Sequence, residues 1–208
     1  MRSRKRYGPA LLSRMLAGAL FAVALVGSGV AHAAGKDTLV VASGAEAVTL
    51  DPGVSFDGQS PLIWRGVYEP LLQYKGDTLE IVPALAESYD ISADRLTYTF
   101  KIRKGIKFTD GEPLNAAAVK FNIERQVAVK QGIAYALAPI ASMDTPDDST
   151  VVIKLSAPSD SFLSAFAGMY TVKMISPKAI KENQKDGDWG QAYLRDHMVG
   201  TGPYMLDS

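Results

Sequence analysis

The sequence predicts an α/β fold, and three observations carry that expectation. Leu96, Tyr98, Phe100 and Ile102 alternate with Thr97, Thr99, Lys101 and Arg103, which is the period of a strand with one apolar and one wet face. Asn115 precedes a run from Ala116 that holds Val119 and Ile123 four apart, so it can cap the N-terminus of a helix. Val151, Val152, Ile153 and Leu155 form a second, β-branched strand.

The elements follow in chain order. Residues 37–43 read as a short buried strand and 44–53 as the loop leaving it. Ser60 with Pro61 predicts a helix start, Ser60 as the cap and Pro61 at the first helical position. Ile63, Val67 and Leu71 then share one face, and Pro70 ends or kinks that helix. A turn at 74–77 precedes a short strand at 79–82. Tyr89 and Ile91 lead into a turn at Ser92, Ala93, Asp94 and Arg95, which predicts a hairpin with the strand from Leu96. Residues 109–113 form another turn, where Gly111 can take a positive φ and Pro113 cannot donate to a ladder.

In the helix from Ala116, Val119, Ile123 and Phe121 are expected inward, and Lys120, Glu124 and Arg125 outward. A looser segment spans 132–137. Residues 143–149 read as a turn before the strand at 151–155, and Phe162, Leu163 and Phe166 belong to a short helix. Residues 168–175 read as a returning strand, Ser176 and Pro177 as the cap and first position of a brief helix, and 199–206 as the entry to a further strand.

Composition narrows the function. Apolar residues make up 47% of the 208, ordinary for a globular protein with a core. The formal charge is zero, but the average hides a split. Arg2, Arg4, Lys5, Arg6 and Arg14 precede residue 34 and no acidic residue does, so the remainder holds 17 basic and 22 acidic residues, net −5. That balance weighs against nucleic-acid binding, which needs a basic footprint. The basic start, the apolar run at 15–26 and the Ala31-His32-Ala33 signal read as a cleaved secretory leader at 1–33, cut between Ala33 and Ala34. The apolar run is shorter than the roughly 20 residues a membrane helix needs. Cysteine is absent, which removes disulfides, thiolate metal sites, thiol nucleophiles and a lipid-modified cysteine anchor.

No catalytic constellation stands out, and no metal or cofactor is expected. His197 is the one histidine beyond the leader and reads as a polar surface residue. There is no G-x-S-x-G elbow. Asp144, Asp147 and Asp148 lack the alternating spacing of a calcium loop, and Pro146 interrupts them, so they read as a solvated turn, as do Asp186, Gly187 and Asp188. Gly200, Thr201 and Gly202 precede a strand rather than opening a helix, so they read as a packing turn and not a phosphate cradle.

Several motifs carry a family resemblance. P-A-L-A-E-S begins at Pro83, L-T-Y-T-F-K-I-R-K-G-I-K-F-T-D-G-E-P-L at Leu96, T-L-D-P at Thr49, V-Y-E-P-L at Val67 and G-T-G-P-Y at Gly200. The chain resembles the extracytoplasmic solute-binding proteins of ABC importers, in the peptide- and nickel-binding branch known as family 5. The resemblance implies a periplasmic-binding-protein-like α/β fold with an extra inserted α/β domain. By that likeness, 34–68 and 171–208 belong to a first lobe and 69–170 to the inserted domain. The family is longer, so the chain is expected to be an N-terminal fragment, truncated before the second ligand-binding lobe.

The same resemblance implies function and site. A monomer in the periplasm would capture a di- or oligopeptide by hinged lobe closure and pass it to inner-membrane permease subunits, with no nucleic acid and no chemistry of its own. A nickel-chelate or other small-solute binder on the same scaffold is the alternative, and a secreted hydrolase is a more remote one. The ligand-contacting positions carried over are Ser55, Phe56, Asp57 and Gly58, together with Tyr135, Tyr170 and Lys173. The competing reading is an ordinary loop for 55–58, core packing among Ile133, Ala134 and Leu137 for Tyr135, and an exposed surface position for Lys173.

Overall fold

In the computed structural model of the chain, residues 44–207 are described. The strand expected at 37–43 and the leader expected at 1–33 lie outside them. Strands β1 (Leu72–Tyr74) and β2 (Ile81–Pro83) pair as an antiparallel ribbon. Strands β3 (Ala86–Ile91), β4 (Thr97–Ile102), β5 (Ile140–Asp147) and β6 (Thr150–Leu155) form an antiparallel sheet in the order β3-β4-β6-β5. The described α-helices are α1 (Ser60–Trp64), α2 (Ala116–Val129), α3 (Pro177–Asn183) and α4 (Gln191–Leu194). Short 3-10 helices occupy Ala134–Leu137 and Leu163–Phe166.

The alternation in β4 orients the sheet. Tyr98 lies opposite Ile153 and Phe100 opposite Val151, and all four side chains are buried on one face. Phe162 packs on Tyr98 with ring centroids 4.8 Å apart, and Phe166 on Phe100 at 5.3 Å. Burial of such a ring contributes on the order of 2 kcal/mol. The β3–β4 hairpin closes as expected at Ser92–Arg95, where Asp94 accepts from the Ser92 hydroxyl and from the Leu96 amide.

Helix α2 starts at its expected cap. The Asn115 side chain accepts from the Ala118 amide at 2.9 Å, satisfying one of the helix's orphan donors. Val119 and Ile123 join the core under the sheet. Arg125, expected to face outward, is instead buried at 2% exposure. The helix is covered on a second side, along Asn122 and Arg125, whose polar groups meet backbone and carboxylate partners there.

Two apolar clusters result. One gathers the sheet, α2 and the aromatic pair Phe162 and Phe166, with members from Leu71 to Met174. The other unites Trp64, Val67, Tyr68, Ile175, Ile180, Leu194 and Met198. Phe121, expected inward, packs at the edge of this second cluster, with its ring 5.8 Å from that of Trp189.

Other expectations are corrected. Helix α1 ends at Trp64, so Ile63 does not share a buried face with Val67 and Leu71 and stays exposed. The turn expected at 143–149 is mostly strand: β5 runs to Asp147, and only 148–149 turn. Pro146 is tolerated there because β5 is an edge strand with a register shift between Asp144 and Asp147. Residues 168–175 form no ladder. A single bridge pairs Lys173 with Pro70, and Met174 donates to the Glu69 carbonyl.

The G-T-G-P-Y run likewise forms no strand among the described residues. It lies against 66–67, with Gly202 N–H donating to the Val67 carbonyl and Tyr204 N–H to that of Gly66. A Cβ at Gly200 or Gly202 would overlap the backbone oxygens of Val67 and Gly66, so close approach of two backbones requires glycine at both positions.

Candidate functional site

The candidate loop runs from Val48 to Gln59 and is built around two carboxylates. Asp51 is fully buried. Its Oδ1 accepts from the Gly53 amide at 2.9 Å, and its carbonyl accepts from Val54 and Ser55. Both of its side-chain oxygens also receive the guanidinium of Arg125, Oδ1 from Nη1 at 3.0 Å. Asp57 opens α1: its Oδ1 accepts from the amides of Gln59 at 2.9 Å and Ser60 at 2.8 Å. Partial burial pushes the Asp57 carboxyl up, but these hydrogen bonds outweigh it and hold the group below its ordinary value.

Ser60, the expected cap, does other work. Its hydroxyl accepts from the Val48 amide at 3.2 Å and ties the start of the loop to α1. The first amides of the helix are met instead by Asp57, three residues earlier, a position not expected as a cap.

The loop presents its residues unequally. Ser55 is buried, with its hydroxyl accepting from the Trp64 indole N–H at 3.0 Å. Phe56 is 61% exposed and lies on Tyr170 with ring centroids 4.7 Å apart. Tyr170 donates its hydroxyl to the Asp57 carbonyl. Gly58 is exposed at the tip, in open space. Four of the carried-over positions therefore come together: Phe56, Asp57 and Tyr170 in direct contact, with Gly58 adjacent.

Two cavities adjoin this aromatic pair. One, of about 510 Å³, is lined by Val48, Val54, Phe56, Asp57, Gln131 and Arg195 among others. The other, of about 290 Å³, is lined by Tyr74, Ile133, Tyr135, Ala165, Met169 and Tyr170 among others. Tyr135 thus shares a cavity wall with Tyr170. At 74% exposure it is not the core residue of the competing reading. Another surface pocket, of about 580 Å³ at the end of β4 and the β5–β6 turn, is lined by none of the candidate residues.

Lys173 departs from its expected surroundings in the opposite sense. It is 8% exposed, not a surface lysine. Its ammonium donates to the Gly168 carbonyl at 3.2 Å and sits 5.5 Å from the centroid of the Trp64 ring. Burial lowers its pKa to about 8, and the negative charge of Glu69 offsets part of that effect. It lines neither cavity beside the aromatic pair and lies under the loop's anchor, Trp64.

The remaining polar candidates serve the fold. His197 is exposed and stacks on Tyr193 at 4.2 Å. Asp147 accepts from Ser149 and Thr150 in the β5–β6 turn. Asp188 accepts from the amides of Lys185, Gly190 and Ala192 and so secures the start of α4. No grouping of three metal-capable side chains occurs among the described residues.

The Asp51–Arg125 pair escaped the sequence reading. A usable signal was present: Ala118, Asn122, Arg125 and Val129 recur at spacings of four, three and four, a second helical stripe beside Val119, Ile123 and Gln126. All seven are buried.

The fold and site define a class before they define a family. The fold is shared with a periplasmic binding protein of Helicobacter pylori solved with the peptide STSA, at a TM-score of 0.67 and 29% identity, covering 79% of this chain and 36% of that one. It is shared equally with a Campylobacter jejuni protein solved with Ni(L-His), at a TM-score of 0.66 and 27% identity, covering 79% and 31%. A probable D,D-dipeptide-binding periplasmic protein of Escherichia coli is 37% identical over 184 residues, which is 86% of this chain and 35% of that protein. These are binding proteins and not enzymes. Residues 80–208 match the bacterial extracellular solute-binding proteins, family 5 (middle region), and the chain belongs to that family. It spans about a third of the length of the relatives it matches.

Proposed function

We propose that the chain belongs to the periplasmic substrate-binding component of an ABC importer that captures a short peptide and delivers it to membrane permease subunits. The observation that carries this reading is the wall formed by Phe56, Asp57 and Tyr170 between two cavities, with Tyr135 lining one of them. Aromatic faces supply apolar area, and loop carbonyls and amides beside them can pair with an extended peptide backbone. Phe56, Asp57, Gly58, Tyr135 and Tyr170 face the ligand in this reading. Ser55 and Lys173, both buried, act by holding the Trp64 anchor beneath the loop.

Part of one lobe and an inserted domain fit the same reading. Residues 69–170 make an inserted domain and 34–68 with 171–208 part of a first lobe. In support, the buried members of the second apolar cluster all fall in the first-lobe segments, at 64–68 and 175–198, while those of the first run from Leu71 through the inserted domain to Val172 and Met174. Secretion through a leader cut between Ala33 and Ala34 delivers the chain to the periplasm. Capture works by closure: ligand contacts on both sides of a cleft favour the closed form.

A nickel chelate is the second reading, favoured by the likeness to the Campylobacter jejuni protein solved with Ni(L-His). Mass spectrometry of ligand retained on the natively purified protein separates the two. Thermal shift with di- and tripeptides against nickel with histidine provides the control. A peptide mass and a peptide-dependent shift support the proposal. A shift with nickel and histidine alone overturns it in favour of the second reading.

A further inference from the structure

We infer that Arg125 is the positioning residue of the loop at 51–57, so that helix α2 sets the shape of the ligand-facing wall. The inference rests on the reading of that loop as ligand-contacting. Arg125 uses every kind of donor it has: Nη1 and Nη2 engage the two oxygens of Asp51, 74 residues away in sequence, and Nε donates to the Trp189 carbonyl at 2.9 Å. Both charged partners are excluded from water, at 2% and 0% side-chain exposure. A buried ion pair gives little net stability over a well-packed apolar pair, because desolvation cancels most of the attraction. What a bidentate guanidinium–carboxylate pair does supply is fixed geometry.

The surroundings are fitted to that geometry. Next to Arg125, Gln126 donates from Nε2 to the Gly53 carbonyl at 2.9 Å and to the Gln131 carbonyl at 2.8 Å. A Cβ on Gly53 would stand 2.6 Å from Arg125 Nη1, and one on Gly132 would stand 2.8 Å from the Gly53 carbonyl oxygen. Both glycines therefore permit the loop to dock against the end of α2. The Trp189 carbonyl is presented from a turn in which Asp186, Gly187, Trp189 and Gly190 all have positive φ, an unfavourable conformation for a residue as bulky as tryptophan.

From this dock a short chain of contacts leads to the wall. Asp51 takes the amides of Gly53, Val54 and Ser55, Ser55 takes the Trp64 indole, and Phe56 is left outward on Tyr170. The loop's shape is thus specified from the helix that also packs on the sheet.

The test uses Arg125→Lys in the full chain, with Trp189→Phe in every protein compared so that emission reports Trp64. Lysine keeps the charge and loses the paired donors. Amide hydrogen exchange at Gly53, Val54 and Ser55 is expected to quicken at least tenfold, with exchange in β4 and β6 changed less than twofold and Trp64 emission shifted to the red. Asp51→Asn is expected to give the same local pattern. Binding of L-alanyl-L-alanine, measured by calorimetry, is expected to weaken about tenfold in Arg125→Lys.

Unchanged loop exchange overturns the inference. So does acceleration shared equally by β4 and β6, or failure of both variants to fold, since either makes Arg125 a determinant of folding alone. If the unaltered chain binds neither this dipeptide nor a mixed pool of dipeptides, the peptide reading fails, and the exchange result still decides the positioning role.

Discussion

The side chain of Asn122 forms both hydrogen bonds of a strand neighbour with the backbone of Ile175: Nδ2 donates to the Ile175 carbonyl at 2.9 Å, and Oδ1 accepts from the Ile175 amide at 3.0 Å. The amide nitrogen also donates to the Ala118 carbonyl one turn back in α2. One buried helix residue thereby satisfies a segment that has no ladder of its own.

Asn122→Leu removes both partners and leaves two buried backbone groups of Ile175 unsatisfied. The expected loss is about 2–4 kcal/mol of unfolding free energy, read as a lower urea midpoint. Retention of the wild-type midpoint would mean that water or a shifted backbone replaces the asparagine.

Gly200 faces the Val67 carbonyl so closely that no Cβ fits, and its own carbonyl accepts from Thr109. Gly200→Ala must displace backbone on one side or the other. The expected cost is about 3 kcal/mol or more, measured by thermal or urea unfolding. A loss below 1 kcal/mol would show that 199–204 can slide off 66–67.

Lys173 carries a pH signature with a definite sign. Its folded pKa is lowered from 10.5 to about 8 by burial, so between those values the unfolded chain binds the extra proton. Stability therefore rises with pH from about 8 to 10.5, and at lower pH the charged ammonium carries a desolvation cost. The displacement corresponds to roughly 3 kcal/mol at about 1.4 kcal/mol per unit. Lys173→Met is expected to flatten that rise, compared through urea midpoints at pH 7.5, 9 and 10. Identical slopes for the two proteins would rule out this lysine as the source.

Tyr170→Phe keeps the ring against Phe56 and removes the hydroxyl donated to the Asp57 carbonyl. Stability is expected to fall by about 1 kcal/mol, while affinity for the retained ligand falls about tenfold as the loop carbonyl is freed. Tyr135→Ala, at an exposed position, is expected to leave the thermal midpoint within 1–2 °C and to weaken the same ligand. An unaltered affinity in both variants would move the site away from the aromatic wall.

Much of the fold was legible because its signals are local. The alternation at Leu96–Ile102, the hairpin turn at Ser92–Arg95, the Asn115 cap and the Ser176-Pro177 start are each set by neighbours a few residues apart, and each stands in the structure. The strand expected at 168–175 and the strand entry expected at 199–206 form no ladder among the described residues, where their backbone groups find partners at 66–70 and on the Asn122 side chain. Apolar runs report burial, and burial is not a ladder.

The candidate site divides along the same line. The motifs beginning at Thr49, Val67, Pro83, Leu96 and Gly200 determined by themselves the family. They also marked the 55–58 loop, Tyr135 and Tyr170 as positions to watch. Only the tertiary structure decided that Phe56 lies on Tyr170, that Tyr135 is outward and Lys173 inward, and that Arg125 reaches Asp51. The reason is range. Periodicity assigns each residue a face of its own element, but a helix covered on two sides keeps only a narrow free face, here with Lys120 and Glu124, and Arg125 falls outside it. Which partner meets that charge depends on a segment 74 residues away, brought there by packing that no local pattern encodes.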